Sequence, residues 1–198
     1  KIRASRNALG EHGTIQALWM AREAAEAAGV PVIAHLGEPP PAYEEILNAL
    51  RPGDILTHCY RKGPMHCPID DKGKIKPVVR QARERGVLFD VGHGRGSFSW
   101  RTARLMIEQG FWPDSVSTDL HIGSIQPPIA ISMTDVMSKM LHLGMDLQSV
   151  VAAATINPAR SIGWSDRIGS LKPGMSADIA VIKIETGSFQ LSDSHHVL

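Results

Sequence analysis

Nowhere in the 198 residues does an uninterrupted apolar run approach the ~18 residues of a membrane span, and no signal-peptide pattern opens the chain. A cytoplasmic protein without membrane contact is the expectation. An excess of one charge is equally lacking. The 21 Lys and Arg offset 20 Asp and Glu, a net charge of +1, which leaves no basic footprint for nucleic acid. Cysteine is scarce, and Cys59 and Cys67 stand in a C-x7-C arrangement that makes no disulfide framework and lacks the close pairing of structural zinc sites. With His66 between them, they read as loop residues. No G-x-G-x-x-G follows a strand-like segment, which disfavours a dinucleotide fold. An initiator Met is missing too. "KIRAS" reads as the middle of a strand and its exit, and "ETGSFQLSDSHHVL" stops without a closing element, so a piece of a longer protein is expected.

What is present is 43% hydrophobic, enough for one sizeable core, and it alternates between two periodicities. "GTIQALWMAREAAEAAG" places Ile15, Leu18, Ala21, Ala25 and Ala28 at helical spacing, with Gly29 as its terminator. "PAYEEILNAL" puts Tyr43, Ile46, Leu47 and Leu50 on one face, behind a proline-rich entry suited to a first turn. "IKPVVRQARERG", "SWRTARLMIEQG" and "SMTDVMSKMLHLG" read as further helices. The last has Ser132 or Thr134 as its cap, and Met133, Met137 and Met140 as core. Between them "VPVIAH", "GDILTH", "VLFDVGHG" and "DSVSTDLH" read as strands, while residues 59–72 form neither. Strands separated by helices pair in parallel with right-handed crossovers, which leaves a closed (β/α) barrel or an open doubly wound sheet. From about Ile168 the pattern changes to Pro and Gly turns and the alternating run "DIAVIKIE". Two units are therefore expected, 1–167 and a small β domain over 168–198.

Taken singly, a histidine at a strand end more often caps the strand than performs chemistry. Here His35, His58 and His93 end or follow three successive strands, and Asp119 follows a fourth. In a parallel barrel all strand C-termini open onto one face, so these residues converge. Neutral imidazole and carboxylate bind zinc and similar divalent ions, and a catalytic site keeps a position for water. Asp119, which follows Thr118, could also cap a turn. Tyr60, His93 and Arg95, and His121 two residues after Asp119, sit where barrel loops shape a pocket, and Arg95 suits a carboxylate. The glycines of "GHGRGSF" admit the alternative that His93 and Arg95 only decorate a loop. His195 and His196 read as surface residues.

The motifs "VIAHLGEPP", "ILTHCY", "DVGHG", "STDLH", "TINPARSIG" and "GSLKPGMSADIAV", in this order over nearly the whole chain, resemble the amidohydrolase superfamily, specifically its deacetylase branch close to dihydroorotases. The resemblance implies an α/β fold containing about strands four to eight of a (β/α)8 TIM barrel, followed by the start of a small β-sandwich. It implies one or two divalent metal ions, zinc foremost. His35 and His58 would be ligands, and Asp119 both a ligand and the general acid/base. Lys1, 34 positions before His35, would be a candidate carboxylated lysine, because an ammonium with a pKa of roughly 10.4 cannot coordinate a cation. The implied activity is hydrolysis of an amide, cyclic amide or ester in a small-molecule substrate by metal-activated water. A nucleobase-type deaminase and a non-catalytic scaffold relative are the alternatives, and a homo-oligomer is one open assembly state. One departure stands out: the family's H-x-H pair is absent. A barrel of eight strands needs ~250 residues, so strands one to three are expected upstream, and the chain by itself is expected to be inactive.

Overall fold

The computed structural model describes residues 1–125, 132–195 and 197; His196 and Leu198 fall outside them. Its elements run β1 (Ile2–Ala4), α1 (Arg6–Leu9), α2 (Gln16–Ala27), β2 (Ile33–Leu36), α3 (Tyr43–Ala49), β3 (Ile55–Thr57) and α4 (Pro77–Glu84). They continue with β4 (Leu88–Asp90), α5 (Trp100–Glu108), a 3-10 turn (Ile122–Ser124), α6 (Met133–His142), α7 (Leu147–Ala154) and α8 (Ile156–Ser161). The four strands pair in parallel in the order β1-β2-β3-β4, with Arg3 opposite His35, His35 opposite Thr57, and Thr57 opposite Asp90. Such strictly sequential order suits a barrel-type domain and has no strand-order reversal, the feature that marks an open doubly wound sheet.

Residues 115–118 extend the sheet beside β4. Val91, His93 and Gly94 donate their amides to the carbonyls of Ser115, Ser117 and Thr118, although the pairing is too sparse for a regular strand. Both faces of the sheet are covered, so its strands read as apolar runs rather than alternations. Ala34, Leu36, Leu56, Phe89 and Val91 are fully or almost fully buried, and α3 seals them with Tyr43, Ile46, Leu47 and, just beyond its end, Leu50. Gly29 follows α2 with φ +66°, as its terminating role requires. Ser132 caps α6 by accepting from the Asp135 amide. Of the methionines on α6, Met140 is fully buried, Met137 is half-buried and Met133 is exposed. The buried face of α6 is made by Val136, Lys139 and Met140.

Two features mark residues 168–198. Asp178–Glu185 pairs with no strand, and its Ile179, Val181, Ile182 and Ile184 are exposed. Alternation can select a face, but one strand has no ladder partner of its own and is not stable alone. Further along, the chain turns back onto the first unit. Asp193 and Ser194 are buried, Asp193 Oδ2 accepts from the Trp100 amide at the start of α5, and Ser194 exchanges backbone and side-chain hydrogen bonds with Phe98.

Candidate metal centre

The C-terminal ends of β2 and β3 and the segment after residue 118 bring three sequence-distant groups together. One nitrogen each from His35 and His58 and one oxygen from Asp119 lie within 4.8 Å of one another, and no other such group of potential ligands occurs among the described residues. His58 Nδ1 is 2.6 Å from the Gly92 carbonyl, which can only accept, so that nitrogen carries the proton and Nε2 presents its lone pair. His35 Nδ1 meets that Nε2 at 2.7 Å. Asp119 Oδ2 stands 3.8 Å from the same Nε2, and Lys1 Nζ donates to Asp119 Oδ1 at 2.8 Å.

Protonation states agree with a ligand role. Burial, together with the positive charges of the neighbourhood, pushes His35 down to about 3. Burial outweighs the Gly92 hydrogen bond and takes His58 to about 4. Both rings are therefore neutral near pH 7, as metal coordination requires. For Asp119, burial works upward, but the Lys1 hydrogen bond and the fields of His58 and Lys1 hold its carboxyl below the usual range. A carboxylate, two neutral imidazoles and a backbone carbonyl that fixes one tautomer make up a donor set and outer support that could hold a divalent cation. Backbone conformation makes the same point. Among the described residues, His58 (φ 69°) and Asp119 (φ 47°) are the non-glycines with positive φ, a conformation costing on the order of 1 kcal/mol and concentrated at functional sites.

Beneath this group lies a carboxylate passed over in the sequence. Asp90, on β4, accepts from the hydroxyls of Thr57 (2.6 Å), Ser115 (2.8 Å) and Ser117 (2.7 Å), tying three adjacent chain segments together. Its signal was a carboxylate inside the apolar run "VLFDV". Gly92 then passes so close that a Cβ would collide with Thr57 Oγ1 and His58 Nδ1, and at Gly94 a Cβ would come 3.1 Å from Asp119 Oδ2. The glycines of "DVGHG" thus admit the ligands rather than loosen a loop.

A cleft of about 540 Å³ opens over the site, lined by Lys1, Arg3, His35, Arg61, Arg95, Asp119 and His121 among others. His121 and Arg95 are exposed there, and His121 Nδ1 also accepts from the Gly123 amide. Tyr60 and His93 do not reach the cleft. Tyr60 is fully buried against Phe98, with its hydroxyl 3.3 Å from the Phe111 carbonyl, because the chain turns inward directly after His58. His93 is fully buried too, stacked on Phe98 and bonded to Lys139. Cys59 and Cys67 are free thiols, the first buried, and His66 serves the loop by accepting from the Gly37 amide and donating to the Pro41 carbonyl.

Comparison with known proteins identifies the family. A deacetylase of Brucella anthropi is 34% identical over 98% of this chain and 48% of its own length, and a deacetylase of Agrobacterium fabrum is 35% identical over 98% and 47%. The chain spans about half the length of these curated relatives. Among solved structures, an adenine deaminase superposes with a TM-score of 0.93 at 30% identity, covering 99% of this chain and 53% of its own, and a dihydroorotase with 0.83 at 32%, covering 98% and 50%. The pattern of the amidohydrolase family matches residues 6–195, and the chain belongs to that family.

Proposed function

We propose that this chain carries part of the metal centre and the proton-transfer residue of a hydrolase acting on an amide, cyclic amide or ester. The observation that supports it is the convergence of His35, His58 and Asp119, with both imidazoles held neutral. These three residues would hold a divalent cation, zinc foremost, which would lower the pKa of bound water toward about 7 and polarise a carbonyl. The protein's own contribution is positional. Gly92 keeps His58 Nε2 free of its proton, and His35 releases the hydrogen bond from Nδ1 by moving its proton to Nε2. Asp119, bordering both the ligand nitrogens and the cleft, accepts a proton from the attacking water at Oδ2 and returns it to the leaving group. Lys1 holds Oδ1 as an ammonium; carboxylation would turn it into an anionic ligand for a second ion. On this reading residues 1–167 supply about strands four to eight of a (β/α)8 barrel, 168–198 contribute to a small β domain, and Arg95 and His121 contact substrate.

A second reading, deamination of a nucleobase-like ring at the same centre, is favoured by the adenine deaminase neighbour. Elemental analysis of the full-length protein, purified without chelators, as wild type and His58→Ala, tests the centre. One to two zinc-like ions per chain, with at least one lost in the variant, are expected. A metal-free wild type after growth in added metal would overturn both readings.

A further inference from the structure

After residues 176–190, all of them exposed, the chain sinks back onto the first unit through polar groups. Ser194, 6% exposed, donates its backbone amide to the Phe98 carbonyl (3.0 Å). Its hydroxyl accepts from the Phe98 amide (3.2 Å) and shares its proton between the carbonyls of Gly94 (3.1 Å) and His93 (3.3 Å). Asp193, 2% exposed, takes the Trp100 amide on Oδ2 (3.2 Å) at the start of α5, where the preceding Ser99 makes no side-chain cap bond. Its Oδ1 takes the amides of His195 and Val197 (2.8 and 3.0 Å), and the Trp100 indole donates to the Leu191 carbonyl (3.0 Å). Ser194 and Gly94 stand 100 positions apart in the chain. Burying an aspartate and a serine adds little apolar area, so these contacts fix geometry more than they add stability.

What they hold is the loop that backs Asp119. The amides of His93 and Gly94 donate to the carbonyls of Ser117 (3.0 Å) and Thr118 (2.9 Å), which keeps the loop in register with the segment ending at Asp119. Gly94 (φ +49°) approaches so closely that a Cβ there would come 3.1 Å from Asp119 Oδ2. Its carbonyl accepts from His93 Nδ1 (2.9 Å) as well as from Ser194, so two donors fix the peptide plane that follows. Ser194 itself does not line the cleft. Asp119, at φ 47°, holds a conformation that persists only where its surroundings over-determine it. Resting on the metal-centre reading, we propose that Ser194 is a positioning residue of that centre: acting through Gly94, it sets where the Asp119 carboxylate stands, while Asp193 anchors the strap at α5. Residues 191–194 are then a working part of the centre and not the edge of a separate unit. Supports of this kind behind a ligand are worth about 10-fold or more in metal affinity.

The test uses full-length protein as wild type, Ser194→Ala, Ser194→Thr, which keeps the hydroxyl, and Ile46→Val. Ile46 is fully buried on α3, so Ile46→Val is a core change of comparable destabilisation away from the loop. Hydrogen exchange of the metal-free proteins is read on peptides covering 93–98 and 115–121. Ser194→Ala is expected to speed exchange by about 10-fold in both, because the loosening passes from Gly94 to Thr118, while Ile46→Val stays within about twofold of wild type. With cobalt(II) as the probe, Ser194→Ala should bind about 10-fold more weakly and show a changed visible spectrum, Ser194→Thr should return both toward wild type, and Ile46→Val should match wild type. A Ser194→Ala protein that loses only global stability, with wild-type exchange at 115–121 and a wild-type cobalt spectrum, overturns the proposal. Thermal melts identify a variant that fails to fold; Asp193→Asn, which gives up one acceptor of the strap, then decides by the same two readouts. Faster exchange in both peptides with no cobalt bound by any of the proteins keeps the hold of Ser194 on Asp119 and sinks the metal-centre reading. Cobalt bound by all of them with a spectrum indifferent to Ser194→Ala does the reverse.

Discussion

Replacing Lys139 with Met tests how the loop behind the candidate metal centre is held. Lys139 is 2% exposed on the buried face of α6, and its ammonium donates to Asp135 Oδ2 at 2.7 Å and His93 Nε2 at 2.8 Å. His93 Nδ1 lies 2.9 Å from the Gly94 carbonyl and so carries the proton, leaving Nε2 as the acceptor. Burial and then the Lys139 charge push His93 down to about 4, so the ring is neutral near pH 7. Lys139→Met keeps the stem's volume and removes the donor. His93 Nε2 is then a buried acceptor without a partner, a loss of about 1–3 kcal/mol. Asp135, 26% exposed at its side chain, regains water at little cost. Relief of the lysine's own desolvation opposes the loss, so a net destabilisation of about 1–2 kcal/mol is expected. Urea denaturation of wild type, Lys139→Met, His93→Leu and the double variant should show a coupling of about 1 kcal/mol with unchanged m. Additivity within about 0.3 kcal/mol, or a variant as stable as wild type, refutes the pairing.

Further outcomes are expected in the same assays. Gly92→Ala should destabilise by about 2 kcal/mol or more and lower metal content, because φ +47° and the collision with Thr57 Oγ1 and His58 Nδ1 act together; a variant with native stability and metal would contradict the close approach. Phe89→Ala, which removes a fully buried ring packed edge-to-face on Phe111, should cost about 3–5 kcal/mol by urea melt, and a loss below about 1 kcal/mol would place it outside the core. For metal-stripped protein, His35, His58 and His93 have folded-state pKa values of about 3 to 4, below the unfolded value near 6.5. The unfolded chain therefore binds more protons between these limits, and stability should fall as pH drops from 6.5 through 4, by up to about 1.4 kcal/mol per pH unit for each histidine. Asp90, raised by burial, acts in the opposite sense just above its ordinary range. Urea midpoints that stay flat between pH 7 and 4.5 would contradict the buried neutral rings.

Local patterns are legible because they depend on a few adjacent residues. The helical faces of Leu18 and Ala25 on α2, and of Tyr43, Ile46 and Leu47 on α3, recur at the period that buries one side of a helix. Apolar runs doubly covered in a parallel sheet mark β2 to β4, and the strand-end positions of His35, His58 and Asp119 follow from parallel winding. Periodicity did not show α7, although Asp146 caps it and the run from Leu147 to Ala154 forms it.

Where a side chain points once the chain leaves a strand is a different kind of information. Tyr60 and Arg61 are neighbours just past β3, yet the first enters the core and the second turns its guanidinium to the cleft, a choice made by packing against Phe98 and by the Leu36 carbonyl. His93 and Lys139, 46 residues apart, pair because α6 docks over β4's exit. The amino-acid sequence alone determined the family, the parallel alternation and the candidate ligands, because these rest on spacing and residue type. Only the tertiary structure decided which polar groups converge at the candidate centre, which line the cleft and which satisfy each other inside, because hydrogen bonding and burial of charge depend on partners that the sequence holds far apart.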